Sequence, residues 1–480
     1  MRALGVGLVY ASALEPLLAP GVSDAIAVVE LEPQTLWEMT SVGAEWHYRG
    51  NEAMLERVAA LPQAKLLHGI GHPLGGTVRD PMAAMPLLQH AVARLNPAWV
   101  SEHLSFNRVQ RAGAIEHAGF LLPPPQTPAA VRVAAHNIDA FHRALGRPVA
   151  FETGVNYLQA RDGEMADGDF FAAVAETADS GIVLDLHNLW CNERNGRQSV
   201  HDTLARMPLD RVWELHLAGG MQQSGYWLDA HSGAVPLEVM EIAARLMPEL
   251  VNLGALIFEI MPEHLPRIGL DGVQRQIERL QQLWALRSPR VIQMAGRASM
   301  PATPCHGPAT PADSAAVARW EVELVNAIGA KVHDRIPGLA HLSADPGCAL
   351  LCQLIGDFRR ASLARALHYT MTSLLAGLGL HGTHALLDAY FEAHAPEPFG
   401  ALEADRFAQF LHTHLPLRPR IPYLDEVLAF EHALVRATLY GATSELAWSA
   451  DPTLLFELLD AGQLPHALAA VRSTMRICAN

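Results

Sequence analysis

Six apolar runs in the first 260 residues carry imidazole or carboxylate side chains toward their ends. His68 falls in KLLHGIG, Glu102 and His103 in WVSEHLSF, and Glu152 in PVAFETG. Asp185, His187 and Asn188 fall in GIVLDLHN, Glu214 and His216 in RVWELHLAG, and Glu259 in ALIFEIM. Between the last two runs, WLDAHSG adds Asp229 and His231, whose i, i+2 spacing points both side chains the same way if the segment is extended. Apolar runs do not normally carry such groups, because a buried ionisable side chain is costly unless it is paired. Each residue alone reads as a hydrogen-bonded core group; the ensemble reads as a metal site. Imidazole and carboxylate donors with few cysteines suit iron, manganese or zinc rather than copper(I) or an iron–sulfur cluster. More than four convergent ligands call for more than one ion, with a carboxylate bridging two of them.

The six runs belong to a series of eight, which begins with ALGVGLVY and AIAVVELE. Helix-like segments such as PMAAMPLLQHAVARL, TPAAVRVAAHNIDAFHRAL and DFFAAVAETADS lie between several of them. Alternating strand and helix patterns imply parallel pairing through crossovers. Eight units in roughly 285 residues are the count and size of a TIM (β/α)8 barrel, whose active sites form at the C-terminal strand ends. An open doubly wound sheet is the alternative, but no G-x-G-x-x-G follows the first strand to support a dinucleotide site. Residues 288–314, rich in Pro, Ala, Ser and Thr, read as a linker. Residues 315–480 repeat apolar positions at helical spacing and read as a mainly helical second domain after a barrel over 1–287.

The chain has 480 residues, 50% of them hydrophobic, which excludes disorder of the whole chain. Its 35 Lys+Arg against 50 Asp+Glu give a net charge of −15, and with no long basic run this argues against nucleic acid as a partner. Residues 366–387 lack charge, yet their His, Gly, Ser and Thr argue against a membrane span. Glu15 within the N-terminal segment favours a first strand over a signal peptide. Cys191, Cys305, Cys348, Cys352 and Cys478 are too scattered for a disulfide scaffold and fit a reducing, cytoplasmic compartment. Cys348 and Cys352 read as part of one buried helix face, and Cys191 as loop packing near the metals.

The stretches LLHGIGHPLGG, VSEHLSF, VAFETGVNYL, GIVLDLHNLWCNERNG, ELHLAGG, WLDAHSGAVP and IFEIMPEHLP follow one another over most of residues 1–285. In that order they resemble the multinuclear non-heme iron-dependent oxidative enzymes. The resemblance implies an O2-using enzyme that modifies a ribosomally synthesised precursor peptide, most often at cysteine. It implies His68, His103, Glu152, Asp185, His216 and Glu259 as ligands of two irons, with Glu152 bridging them. Asn188, Asp229 and His231 would hold a third, and the irons would be mixed Fe(II)/Fe(III). Glu102, beside His103, is a candidate orienting carboxylate. The chain departs from the family at Glu152-Thr153, His187-Asn188, Gly220 and Glu32-Pro33-Gln34, where Glu-Asn, Asn-Asn, a His after HLAG and Glu-Asn-Tyr are usual. His187 thereby becomes a candidate ligand itself.

In the C-terminal region, RIPYLDEVLAFEHALVRATLYG resembles the tail of the separate partner protein that accompanies many of these enzymes. This implies a fused domain that binds the leader of the precursor peptide and, through its linker, raises the effective concentration of the peptide at the barrel. The alternative is a helical appendage that pairs two copies of the chain as a homodimer. For the barrel, the runner-up is a redox-inert Mg, Mn or Zn isomerase or hydrolase of the sugar-isomerase or endonuclease type, which shares the strand-end pattern. A peptide-binding scaffold with structural metals is the non-catalytic reading.

Overall fold

The computed structural model describes the chain except residues 1, 20, 23–24, 43–44, 79–83, 112, 288–307, 330–341, 343, 415–420, 466 and 479–480. Eight strands form a closed parallel barrel: β1 (Gly5–Val9), β2 (Val28–Leu31), β3 (Ala64–Gly69), β4 (Val100–His103), β5 (Val149–Glu152), β6 (Gly181–Asp185), β7 (Val212–Ala218) and β8 (Ala255–Glu259). Each pairs in parallel with its neighbours in the chain, and β8 closes on β1. All eight are the runs read from the sequence, as the TIM-barrel expectation requires.

Period-two alternation places the site. Val28, Leu66, Ala150, Val183 and Ile257 belong to one buried cluster, with Trp99 and Ala255. Two residues further along the same strands stand Glu30, His68, Glu152, Asp185 and Glu259. Residues i and i+2 share a face of a strand, so the ionisable groups form the next layer above an apolar one. Gly181 is needed at the start of β6, where a Cβ would lie 2.1 Å from the Trp213 ring.

The crossovers are α1 (Glu15–Leu18), α2 (Glu52–Ala60), α3 (Met85–Leu95), α4 (Pro128–Leu145), α5 (Asp167–Ala178), α6 (Leu186–Arg194) with α7 (Val200–Arg206), α8 (Leu237–Leu246) and α9 (Leu265–Trp284). α4 shows how the sequence sets such limits: Thr127 accepts the Ala130 N–H, Pro128 opens the first turn, and Gly146 ends it at φ 61°. Among the described residues between β1 and β2, the helical ones are a 3-10 turn, Ser12–Leu14, and the four residues of α1.

The chain divides into two compact units. The first comprises residues 1–37, 50–115 and 121–350, and the second 38–49, 116–120 and 351–480. Most of the linker stretch lies outside the described residues. Helix α10 (Pro311–Gly329), which starts before the expected linker end, belongs to the first unit. There Asp313 pairs with Arg132 of α4 through both carboxylate oxygens, and Trp320 donates to the Pro123 carbonyl at 3.1 Å. Glu321 accepts the Thr77 N–H at 2.7 Å and the Thr77 hydroxyl at 2.5 Å, which fixes the loop after β3.

Glu321 is 1% exposed, and burial pushes its carboxyl up to about 7 against an ordinary 4.5. A folded-state value above the unfolded one means stability present below pH 4.5 and lost as pH rises toward 7, by about 3 kcal/mol at 1.36 kcal/mol per unit. Glu321→Gln is therefore expected to flatten the fall in stability between pH 5 and about 7.5. Urea melts at the two values measure it, and an unchanged slope would contradict the assignment.

The second unit holds most of α11 (Pro346–Ala366), then α12 (His368–Ala393), α13 (Gly400–His414), α14 (Leu424–Tyr440) and α15 (Pro452–Asp460), with a two-stranded antiparallel sheet of Ser444–Trp448 and Ser473–Ile477 on either side of α15 in the chain. Leu363, Leu374, Tyr390, Phe407, Leu411 and Leu439 form its core, and Trp46, from the early segment 38–49, packs against that core. Cys348 is buried but Cys352 is exposed, so they do not share a buried face. Four residues turn a helix by about 400°, which is enough to carry Cys352 off the edge of a narrow apolar stripe. Among the described residues, no helix is long and apolar enough to cross a membrane.

Candidate metal centre

Among the described residues four overlapping groups have ligand atoms within 4.8 Å of one another; one is Glu30, Glu214 and His216, and the other three share Glu152 and Asp185. His68, His103 and Glu152 form the first. Glu152 Oε2 lies 3.2 Å from His68 Nε2 and 2.9 Å from His103 Nε2. The other nitrogen of each ring is held: His68 Nδ1 meets Ser101 Oγ at 2.9 Å, and His103 Nδ1 meets the Gly69 carbonyl at 3.0 Å. A carbonyl can only accept, so His103 carries its proton on Nδ1 and turns the Nε2 lone pair inward.

Glu152, Asp185, His216 and Glu259 form the second group. The register sets Asp185 beside His216, and His216 Nδ1 lies 3.3 Å from Glu259 Oε1 and 3.7 Å from Glu152 Oε1. Asp185, Asp229 and His231 form the third. His231 Nε2 lies 2.8 Å from Asp229 Oδ1 and 3.3 Å from Glu259 Oε2. Glu152 thus joins the first two groups, and Asp185 the last two.

Glu152 Oε2, Asp185 Oδ2, both nitrogens of His216, Asp229 Oδ1, His231 Nε2 and Glu259 Oε2 are buried without hydrogen-bond partners. Acceptors that converge without protons between them are what a cation resolves. Without one, protons serve. Burial opposes it, but the charge of Glu152 raises His103 well above its ordinary value, and Glu259 and Glu30 do the same for His216. Asp229 and Glu259 raise His231 likewise. Against burial, His103 and His68 hold Glu152 well below the usual carboxylate range, and His216 and His231 hold Glu259 at about 2. Asp185 is the exception, pushed well up by burial and by the neighbouring charges of Asp229, Glu259 and Glu152.

The remaining candidates stand around this set. Asn188 points a buried, unpartnered Oδ1 from the first turn of α6, where its N–H is capped by Asp185 Oδ1 at 2.7 Å. Glu102 is fully buried and outside the three groups. It accepts the N–H of His103 at 3.0 Å and of His72 at 2.9 Å, and so braces the β3 and β4 ends. Asp229 and His231 converge, but not through an extended segment, because His231 adopts a left-handed φ of 43°. That conformation is rare outside glycine and asparagine and costs energy that the surroundings must supply.

His187 also lies outside the three groups. Its Nε2 is 3.4 Å from Cys191 Sγ, its ring stacks on Trp190, and its Nδ1 is buried without a partner. A Cβ on Gly220 would sit 2.5 Å from His187 Nε2 and 2.7 Å from the Leu228 carbonyl. Positions 187 and 220 are therefore coupled, the imidazole at 187 filling space that a side chain at 220 would need. Gly220→Ala is expected to cost about 2 kcal/mol, and at least about 1 kcal/mol less in a His187→Asn background. A double-mutant cycle of melts checks this; equal costs in both backgrounds would rule out the coupling.

Sequence reading passed over Glu30, which stands 3.2 Å from His216 Nε2, and Tyr157, whose hydroxyl accepts the Asp229 N–H at 3.2 Å. Glu30 had a visible signal, a lone carboxylate inside the apolar run AIAVVELE. Tyr157 had none, lying in a loop whose path the local sequence does not set.

Residues 31–268 match the family described as RiPP precursor modification enzyme MbnB/TglH/ChrH. A UPF0276 protein of Chromobacterium violaceum is 34% identical over 238 residues, covering 48% of this chain and 83% of that one. Another, of Anaeromyxobacter sp., is 33% identical over 206 residues, covering 42% and 70%. Among solved structures, a D-allulose 3-epimerase from Methylomonas sp. is similar at 14% identity and a TM-score of 0.38, covering 59% of this chain and 99% of that chain, a likeness too slight to bear on chemistry.

Proposed function

Since the chain belongs to this family of RiPP precursor modification enzymes, we propose that it is a multinuclear iron enzyme that uses O2 to oxidise a ribosomally made peptide at cysteine. The observation that carries this reading is the sharing of Glu152 and Asp185 among three groups of buried, unpartnered donors. Such sharing suits adjacent ions bridged by carboxylate, and imidazole–carboxylate donors suit iron. His68, His103 and Glu152 would hold one ion, Glu152, Asp185, His216 and Glu259 a second, and Asn188, Asp229 and His231 a third. Bound there, iron would supply one-electron chemistry with dioxygen and an open position for a substrate thiolate.

The protein's own part is positioning. Ser101 and the Gly69 carbonyl set the His68 and His103 rings, Glu102 braces the strand ends beneath them, and Tyr157 holds the Asp229 backbone. Held partners of this kind fix ring orientation and ligand basicity. The burial of His68, Glu152, Asp185, His216 and Glu259 would limit the access of bulk water to a reactive centre. The helical second unit is assigned to the leader of the precursor peptide, on the resemblance of residues 420–441 to the recruiting partner. That arrangement would deliver the peptide core without a separate encounter.

The test is O2 uptake, with mass spectrometry of a cysteine-containing candidate precursor peptide. Uptake that requires the peptide, with a mass change at its cysteine, is expected. Turnover of a reducing sugar or an abasic site without O2 would instead favour the redox-inert isomerase or hydrolase.

A further inference from the structure

The histidines at the bridged positions are not backed alike. The outward nitrogen of His68 meets a serine hydroxyl, and that of His103 a backbone carbonyl at 3.0 Å with Glu102 Oε1 farther off at 3.7 Å. His216 turns its Nε2 down the barrel instead, to Glu30 Oε1 at 3.2 Å and Glu214 Oε1 at 3.6 Å. Both carboxylates are fully buried. Glu214 is tethered through Oε2 by the Trp99 indole N–H at 2.8 Å, while neither oxygen of Glu30 has a hydrogen-bond partner in line. An N–H aimed between two carboxylate oxygens lies in line with neither, which accounts for this geometry. With a cation at Nδ1, the ring's remaining proton would thereby be kept on Nε2, and Nδ1 faces Glu259 and Glu152.

The alternation of the strands builds this layer. Glu214 and His216 share the inward face of β7, and Glu30 follows the core residue Val28 on the inward face of β2. The two bridged positions consequently differ in kind. The His68–His103 side has one carboxylate among its donors, Glu152, and Glu102 behind one of its two imidazoles. The other side has Glu152, Asp185 and Glu259, and an imidazole that rests on two more carboxylates. A carboxylate behind a ligating imidazole makes the ring a stronger donor, and net negative charge around a metal favours its higher oxidation state.

We propose that Glu30, supported by Glu214, is a positioning residue that orients His216 and makes the ion on the Asp185–His216–Glu259 side the more oxidised of the two bridged by Glu152. This rests on the iron reading above. Glu30→Gln keeps shape and an acceptor oxygen but removes the charge. The experiment is iron content and Mössbauer spectroscopy of the full chain, purified anaerobically and poised at one fixed potential, for the wild type, Glu30→Gln and Glu214→Gln.

The expected result is iron retained in both variants, with the ratio of lower- to higher-valent iron raised about tenfold in Glu30→Gln and raised less in Glu214→Gln. An unchanged ratio in the variants that fold, or iron lost equally from both positions, overturns the proposal. Should Glu30→Gln not fold, Glu214→Gln decides it by the same ratio. Absence of iron from the wild type would instead remove the reading on which the proposal rests, so the two failures are told apart by the wild-type spectrum alone.

Discussion

Glu152→Gln is expected to leave the barrel folded but unable to keep a bridged pair of ions, with peptide turnover reduced by about 10³-fold or more. Glu152 Oε2 lies within 3.2 Å of both His68 and His103, and its Oε1 faces His216. Replacing one oxygen by an amide nitrogen removes a donor from one position and, from both, the charge that holds the ions near one another. A metal acting as Lewis acid and template contributes several kcal/mol to the barrier, and each 1.36 kcal/mol is tenfold in rate. The fold should survive, because the apolar layer below, with Leu66, Ala150, Val183 and Ile257, does not involve Glu152. Metal content by elemental analysis, with circular dichroism as the control, measures it. Full metal content in the variant would mean that Glu152 does not bridge.

The second large effect is on stability. Removing the metal with a chelator is expected to lower stability by about 3 kcal/mol for each ion present at 100 times its Kd, and by more as pH rises. The sign follows from the histidines. In the metal-free chain His103, His216 and His231 are held above their ordinary values by neighbouring carboxylates. Their contribution is full below about pH 6.5 and is lost as pH rises through the raised values. Bound cations replace those protons and do not leave at high pH. Melting curves with and without chelator at pH 6.5 and about 8.5 should diverge toward the higher pH. A gap that narrows with rising pH would contradict the assignment of these residues to metal.

Much of this was legible in the sequence for definite reasons. A parallel barrel strand is apolar on both faces, so GIVLD and ALIFE announce themselves, and a carboxylate at the end of such a run is conspicuous. The site positions followed from β-strand period and chain order. Long-range partners did not. Nothing local says that Trp46 packs with a helical core more than 300 residues later, or that Glu321 pins Thr77. The hairpin of Phe106–Arg111 and Ala114–Leu122 after β4 was not foreseen either. Glu30 was visible but went unread, because its partner His216 stands on another strand and only barrel closure brings them to 3.2 Å. The coupling of His187 to Gly220 was equally hidden, because only the folded chain brings a Cβ at 220 to 2.5 Å from the imidazole.

The central claim is that these strand ends hold a multinuclear iron centre. The most direct measurement is metal identity and stoichiometry per chain after anaerobic purification, with Mössbauer spectra, for the wild type and His68→Ala. Two to three irons per chain, including a coupled pair that the variant loses, are predicted. Zinc or magnesium alone, with no activity gained on ferrous reconstitution, would contradict it.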